Sequence, residues 1–297
     1  MPSNRGAFSQ LLAPALYSII FEDLEMHPEE YTQIFNIYPS TRAYEEDQLV
    51  AGLGVVPPMP EGEAFQLDEP IQGGSVRYTH AKFGLGWEVT REMWSDDQYG
   101  IMARVAQDFA GGIRQNIESS YANVLINSFT TTKSIDGVSL CNTAHPLLGG
   151  GTYSNRSATD VAFSTTGMQE LILLFEKMVN ERGLLKRMVP EEVLLPVDLQ
   201  FKAGEILHSS YKPYTGNNEI NVMQGRLTPR FNHYLTSATQ WWILSARRSH
   251  TLKGYWREQP VFDSQDDFRT KGAAYSVYFR YSNGVTYWHG IAGSNGA

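Results

Sequence analysis

The stretch SDDQYGIMARVAQDFAGGIRQNIESSYANVLINSF, residues 95–129, restricts the possible folds more than any other part of this chain. Apolar side chains recur at every fourth position: Ile101, Val105, Phe109, Ile113, Ile117, Tyr121 and Leu125. Ser95, Asp96 and Asp97 stand ahead of them as N-terminal capping and dipole partners. The pattern predicts a helix over about 97–129. At 1.5 Å per residue, roughly 30 residues span about 45 Å, well beyond the mean globular helix. Steps of four advance about 40° each, so the stripe winds around a straight helix instead of following the 3.5-residue seam of a coiled coil. Such a helix touches different neighbours along its length. Met102, Ala106 and Ala110 widen the stripe, and Gly111-Gly112 mark a point of bending or close packing.

The preceding region, from about Thr41 to Thr90, has the opposite character. AGLGVVPPMPEGE is punctuated by Gly52, Gly54, Pro57, Pro58, Pro60 and Gly62, a density of breakers that denies both helix and central strand. SVRYTHAKFGLGWEVT returns with strand-forming Val76, Tyr78, Phe83, Trp87 and Val89. The two legs predict a long hairpin-like excursion. Isolated two-stranded ribbons are marginal in water and their edges invite pairing, so an ordered arm of this kind requires a neighbouring surface. Residues 1–42 carry a short amphipathic segment (Leu11, Leu12, Leu16, Ile19, Ile20) and acidic turns, and are expected to lie as an arm on another surface.

After the helix, residues 130–165 are rich in Thr, Ser, Gly and Asn and predict irregular surface structure. TTGMQELILLFEKMVNERG predicts a helix capped by Thr165 or Thr166, with Gly183 past its end. VPEEVLLPVDL contains a buried strand at Val193 to Val197, and LQFKAGEILHSS a further helix. YKPYTGNNEINV is a turn-rich loop; RLTPRFNHYL and SATQWWILSA resume the extended pattern. AYSVYFRYSNGVTYWHGIAGS alternates Tyr and Val on both sides of Ser282-Asn283-Gly284, a strong hairpin signal. The fold class is α+β.

Candidate chemistry centres on DGVSLCNTAHP, which holds the single cysteine, Cys141, four residues before His145. A Cys–His pair makes a thiolate nucleophile, but no third orienting group stands nearby, and Pro146 with Gly149-Gly150-Gly151 denies a shared helical face. The alternative is a half-buried cysteine with a histidine fixing a turn. One cysteine excludes an internal disulfide framework and fits a reducing place of synthesis. The remaining histidines never pair at ligand spacing, and Asp263-Ser264-Gln265-Asp266-Asp267 lacks the glycine and glutamate of a calcium loop, so a solvated turn is expected there and no metal or cofactor. Gly52-Leu53-Gly54 leads into prolines, not a helix, so it is no dinucleotide fingerprint. Paired acids Glu29-Glu30, Asp96-Asp97 and Glu191-Glu192 are expected to cap elements. Arg247, Arg248, His250, Lys253 and Arg257 form a basic cluster suited to pairing with acids of this or an adjacent chain.

A formal charge of −8 argues against a dedicated nucleic-acid binder, which draws affinity from neutralising phosphates. LLAPALYSIIF, broken by Pro14 and followed by Glu22, Asp23 and Glu25, is neither a membrane span nor a secretory signal. Aromatic residues at 12% suit cores and interfaces alike.

In order and spacing, APALYSIIFEDLEMHPEEYTQIFNIYPS, DGVSLCNTAHP, VLLPVDLQFKAGEIL and AAYSVYFRYSNGVTYWHGIAGS resemble the major capsid proteins of tailed bacteriophages, more closely the Mu-type major head subunit group. The resemblance covers nearly the whole chain and implies the Hong Kong 97-type fold. It implies an N-terminal arm (1–42), an extended loop (43–90), a peripheral domain (91–164 with the spine helix at about 97–129, and 241–297) and an axial domain (165–240). It further implies self-assembly through pentamers and hexamers into an icosahedral head around double-stranded DNA. Expected partners are a portal, separate scaffold or decoration proteins and the packaged DNA nearby, with no membrane; the expected location is the virion, after synthesis in the host cytoplasm. Inter-subunit contacts are expected at Pro57, Pro58, Pro60, Phe65, Tyr78, Tyr214, Asn217 and Asn218. The same resemblance makes Cys141 and His145 structural, so no enzyme is expected; the competing readings are an encapsulin-like compartment and a cysteine hydrolase. Some members of the resembled family cross-link their shells through a loop lysine. Here the tip from Val55 to Gly74 has none, and Lys82 is the first lysine of the chain, so no covalent chain-mail is expected. No long helical prefix precedes the arm, so a separate scaffold is expected.

Overall fold

A computed structural model describes residues 18–20, 22–26, 28–90, 92–93, 96, 100–213, 216, 219–266 and 272–296. Past helical residues at 18–20 and 22–26, the chain forms α1 (Tyr31–Ile34), β1 (Asn36–Pro39), β2 (Tyr44–Ala51), β3 (Ile71–Thr79), β4 (Ala81–Val89) and α2 (Ile101–Ile126). A short pair, β5 (His145–Pro146) and β6 (Thr152–Tyr153), precedes α3 (Thr165–Glu176), β7 (Pro190–Pro196), α4 (Gln200–His208) and β8 (Thr228–Asn232). The last strands are β9 (Trp241–Ser245), β10 (Leu252–Asp266), β11 (Ala273–Val285) and β12 (Ile291–Ser294).

The four-step stripe is one uninterrupted helix, α2, prolonged by a 3-10 turn at Asn127–Phe129. It starts at Gly100, whose left-handed φ of 65° sets the entry, one turn later than the acidic cap suggests. Asp96 sits in a turn, and Ser95 and Asp97 lie outside the described residues. Phe109, Ile113, Ile117, Tyr121 and Leu125 are buried, whereas Ile101 is 48% exposed. A second stripe runs beside the first: Ala106, Ala110, Arg114, Glu118 and Ala122 are buried too. Nothing lies within 4 Å of a Cβ built on Gly111 or Gly112, and the helix runs on through both, so close packing does not explain them within this chain.

Two four-stranded sheets form the body. In the first, ordered β1-β10-β11-β4, β1 runs parallel to β10 and the other neighbours are antiparallel. Alternation along β11 turns Tyr275, Val277, Phe279 and Tyr281 inward toward α2. There Tyr121 packs against Tyr31, Phe35 and Tyr281 at ring separations of 4.5, 4.9 and 5.8 Å. Gly254 of β10 is required by this contact, since a Cβ would lie 2.1 Å from the Tyr121 hydroxyl. The second sheet, ordered β12-β9-β7-β8, is a continuous apolar layer: Val193, Leu194, Leu195, Trp241, Trp242, Ile243, Leu244, Ile291 and Ala292 are fully buried. It draws strands from both sides of residue 240, where the sequence reading divides an axial from a peripheral segment.

Several expectations are corrected. Ser282-Asn283-Gly284 forms no hairpin turn; these residues lie inside β11 opposite Tyr255, Gly254 and Lys253. Their local turn preference is overridden by packing: the Asn283 amide donates to Ser120 at 2.9 Å, and Gly284 leaves room for the Tyr78 ring, 3.0 Å from a Cβ built there. Asp263, Ser264, Gln265 and Asp266 are not a solvated turn but the end of β10, paired with β11; Asp267 lies outside the described residues. The helix expected to end before Gly183 stops at Glu176, capped by Ser164 rather than Thr165 or Thr166. Residues 178–186 form a tight hairpin because the Asn180 side chain accepts from the Arg182 and Leu184 amides, a turn that competes with helix. Glu30 stands at the N-cap of α1, as expected, but its side chain makes no capping bond and pairs with His233 at 2.6 Å; Glu29 pairs with Arg114 at 2.8 Å and Glu192 with Arg230 at 2.5 Å.

Candidate functional site

β2 and β3 pair antiparallel from Tyr44↔Thr79 to Ala51↔Ile71, with an irregularity between Gln48 and Val50. They make the ribbon expected from the two legs. The returning leg divides at His80, however: β4 leaves the ribbon and joins the body as the edge strand beside β11. Strand alternation puts Asp47, Leu49 and Ala51 on the inner face of β2. Leu49 and Ala51 are buried there, and Asp47 meets the body.

Polar contacts of Asp47, Tyr78 and His80 fix the base of the ribbon. The Lys253 ammonium lies 2.5 Å from Asp47 Oδ2, which also accepts the Thr286 hydroxyl. Tyr78 OH shares a 2.8 Å hydrogen bond with Thr286 Oγ1, and its ring packs edge-on against Tyr255 at 5.1 Å. His80 lies between Ser40 and Ser282, 3.1 and 3.0 Å from their hydroxyls. Burial first, then the charge of Arg280, holds the His80 pKa below its ordinary value. Farther out, Arg182 of the 178–186 hairpin donates to the Gly52 carbonyl at 3.0 Å, to Asp68 at 3.2 Å and to the Glu69 carbonyl. Asp68 in turn accepts from the Gly54 amide at 2.6 Å. Both ends of the loop between β2 and β3 are thus tied down.

Beyond these ties the tip stands free. Leu53 is 60% exposed, Val56 88%, Phe65 81% and Leu67 95%, and Val55, Met59, Pro57, Pro58 and Pro60 are exposed as well. The prolines supply no amide for a ladder, so the segment stays irregular. Large apolar side chains clustered at the end of a braced ribbon mark a surface built to be covered.

The expected contact residues do not share one fate. Pro57, Pro58, Pro60 and Phe65 are at this tip. Tyr78 is instead 4% exposed and held within its own chain by Thr286 and Tyr255. Tyr214, Asn217 and Asn218 lie outside the described residues; beside them Tyr211 and Ile220 form a bridge and are 58% and 80% exposed. Of the basic cluster, Lys253 holds Asp47, Arg247 donates to the Thr32 carbonyl, and His250 is buried.

Cys141 and His145 are not at the surface and not half-buried; both are fully buried. Burial pushes the Cys141 thiol up to about 12, which leaves no thiolate at neutral pH. His145 is occupied on both ring nitrogens, by Asp136 at 2.5 Å and Asn155 at 3.0 Å, and it stacks on Trp288 at 4.6 Å. Asn155 also donates to the Leu140 and Ile291 carbonyls and accepts from the Asn142 amide, so this cluster stitches residues 136–155 to β12. Cys141, His145 and Asn155 belong to the buried minority of residues 130–165, which otherwise form the irregular, largely surface-lying segment that was expected. Among the described residues no group of His, Cys, Asp and Glu is arranged to hold a metal ion, and no helix is long and apolar enough to cross a membrane.

Sequence reasoning missed Asp47, His80, Arg182 and the pair Arg114–Glu118. Alternation from Leu49 and Ala51 points to Asp47, and the second four-step stripe of α2 points to Arg114 and Glu118. Nothing local points to Arg182, which lies in a segment with a helical pattern.

The family model described as phage capsid protein matches residues 73–293. No curated protein sequence matches the chain. Among solved structures it is similar to the procapsid of bacteriophage JBD30, with a TM-score of 0.54 and 16% identity over 98% of this chain and 76% of that one. It is similar to the mature capsid of bacteriophage PhiM1, with a TM-score of 0.59 and 9% identity over 90% and 86%. It is also similar to the capsid of bacteriophage JBD30 decorated with minor capsid protein trimers, with a TM-score of 0.57 and 13% identity over 71% and 92%. A long helix under a sheet and a braced ribbon with an uncovered tip agree with these matches: the chain belongs to the phage capsid protein family, has the Hong Kong 97-type fold and serves as a structural subunit of the virion shell.

Proposed function

We propose that this chain is the major head subunit of a tailed bacteriophage of the Mu-type group, assembling through pentamers and hexamers into an icosahedral shell around double-stranded DNA. The observation that carries the proposal is the tip of the β2–β3 ribbon, whose exposed Val55, Val56, Phe65 and Leu67 have no cover among the described residues. Fully burying such a side chain is worth about 1.5–3 kcal/mol, and association costs about 4–15 kcal/mol in lost freedom. One tip is therefore marginal alone and decisive when every subunit both gives and receives one. In this reading residues 1–42 are the N-terminal arm, 43–90 the extended loop lying across an adjacent subunit, and α2 the spine. Residues 91–164 and 241–297 form the peripheral domain and 165–240 the axial domain, with Tyr211 to Val222 facing the centre of a capsomer. Portal, scaffold and decoration proteins are the further partners. The acidic balance of −8 suits a lining that does not grip its genome.

Electron microscopy of the purified full chain at high concentration tests this. Rings or shells are expected; a persistently monodisperse monomer overturns the reading. Double-stranded DNA in particles purified from infected cells is expected, whereas protein cargo without DNA would make the chain an encapsulin-like compartment.

A further inference from the structure

β4 is a sheet edge without the usual protections. Among the described residues it is hydrogen-bonded on one side only, to β11, over nine residues with no shift of register. A free row of amides and carbonyls invites a further strand, so natural edges are kept short or blunted by proline, bulges or inward charge. The other edges of the two four-stranded sheets, β1, β8 and β12, are four or five residues long. β4 has no proline, and its charged residues, Lys82 and Glu88, stand near opposite ends.

The strand is also self-complementary. Its sequence, AKFGLGWEV, is centred on Leu85, with Gly84 and Gly86 beside it, Phe83 and Trp87 next, and Lys82 and Glu88 outside them. An antiparallel copy about that centre sets Lys82 against Glu88, Phe83 against Trp87, Gly84 against Gly86 and Leu85 against its own counterpart. Alternation keeps each such pair on one face. Phe83, Leu85 and Trp87 share the face toward α2, where Trp87 packs on Phe109 at 4.6 Å and Phe83 on Phe279 at 5.5 Å. Phe83 and Trp87 are half-buried there, yet Leu85 between them is 58% exposed. On the opposite face Lys82 lies over the Tyr278 ring at 5.2 Å, and neither Lys82 nor Glu88 has an ion-pair partner among the described residues.

Resting on the reading of this chain as a shell subunit, we propose that β4 pairs antiparallel with β4 of a second copy about a two-fold axis at Leu85. The two four-stranded sheets then run on as one. The contact is isologous: each copy gives and receives the same patch. Two Lys82–Glu88 pairs flank the axis on one face, and on the other the two Leu85 side chains cover each other between Phe83 and Trp87. Opposite charges and apolar pairs directly across an antiparallel ladder are the arrangement that stabilises it. The occupant is a second copy of β4 because every position of the strand meets its complement only in that register. In an icosahedral shell a two-fold axis links one ring of subunits to the next, so this contact differs from those within a ring.

Disulfide trapping tests the pairing. Leu85→Cys sets two thiols across the axis, where facing Cβ atoms lie about 4.5–5.5 Å apart, within reach of a bridge after a small adjustment. Under mild oxidation this variant should run as a disulfide dimer, both as concentrated purified chain and in shells; Cys141 is fully buried and does not compete. Ala81→Cys is also exposed but lies about 27 Å from its counterpart in this register, and should stay monomeric. In the Leu85→Cys background, Lys82→Glu and Glu88→Lys should each slow dimer formation roughly tenfold, although they move the net charge in opposite directions. Lys82→Glu/Glu88→Lys together should restore it to within about threefold. Within one chain positions 82 and 88 are about 20 Å apart, so only pairing across the axis gives that rescue. If the unmodified chain assembles but Leu85→Cys forms no more dimer than Ala81→Cys, because another strand or none fills the edge, the pairing is overturned and the shell reading stands. A combined swap no better than the single changes overturns it equally. Leu85→Cys dimers from a chain that never forms rings or shells leave the pairing intact and overturn the shell reading.

Discussion

The Cys141 thiol, fully buried between Gly293 and the backbone around Ser128, has no water to stabilise a thiolate. A thiol reagent at pH 8 should therefore leave the native protein unlabelled and modify Cys141 fully once the chain is unfolded; rapid native labelling would contradict the burial. Tyr121 presents the converse problem. Its ring is wedged between Tyr31, Phe35 and Tyr281, yet its hydroxyl has no hydrogen-bond partner among the described residues. Burying an unsatisfied hydroxyl is costly, so Tyr121→Phe should be neutral or more stable by about 1 kcal/mol in thermal melts. A loss of more than that would mean the hydroxyl is satisfied after all. Neither environment was legible in the sequence. A Cys four residues before a His reads the same whether the two meet or, as here, turn to different partners.

Residues 24–31 are clasped to α2 by two of its side chains. Arg114 donates to Glu29 and to the Leu24 carbonyl, at 2.8 and 2.7 Å. The Glu118 carboxylate accepts the Glu30 and Tyr31 amides at 2.9 and 3.0 Å. Burial raises the Glu118 pKa from 4.5 to about 7. A carboxyl raised on folding favours the neutral native state, so its contribution is fully present below about 4.5 and is lost as pH rises through about 7. Glu118→Gln cannot ionise. Its melting temperature relative to the unmodified chain should shift upward between pH 5 and 8, by the equivalent of roughly 3 kcal/mol at most. A gap that stays constant with pH would show that Glu118 does not titrate in that window. His250 and His289 act in the opposite direction. Burial lowers their pKa values from 6.5 to about 4 and about 3, so both destabilise the native state as pH falls below about 6.5. Subtracting the two melting curves removes that shared background. The clasp was half visible in the sequence: the every-fourth spacing of Arg114 and Glu118 places them beside the apolar stripe, but their partners lie more than eighty residues away.

For the whole molecule the decisive asymmetry is between a braced ribbon base and an uncovered tip. The tip 55–74 holds no lysine, and Lys82 lies in β4 within the body sheet. Mature particles boiled in detergent should therefore run as monomers on denaturing gels; covalent ladders would show that another residue supplies a cross-link. The long helix, the ribbon and the absence of a disulfide framework were set by the sequence, because periodicity, breakers and cysteine count act locally. The strand read at Val193 to Val197 runs instead over Pro190–Pro196, and Val197 is exposed and opens a 3-10 turn. Only the tertiary structure decided that Ser282-Asn283-Gly284 stays extended, that β4 leaves the ribbon for β11, that Tyr78 is locked inside, and that Cys141, His145 and Asn155 are buried within an otherwise surface-lying segment. Each of these outcomes depends on a partner remote in sequence, such as Tyr78 over Gly284 or Asn155 beneath Ile291, whose packing and hydrogen-bond energy outweighs the local preference.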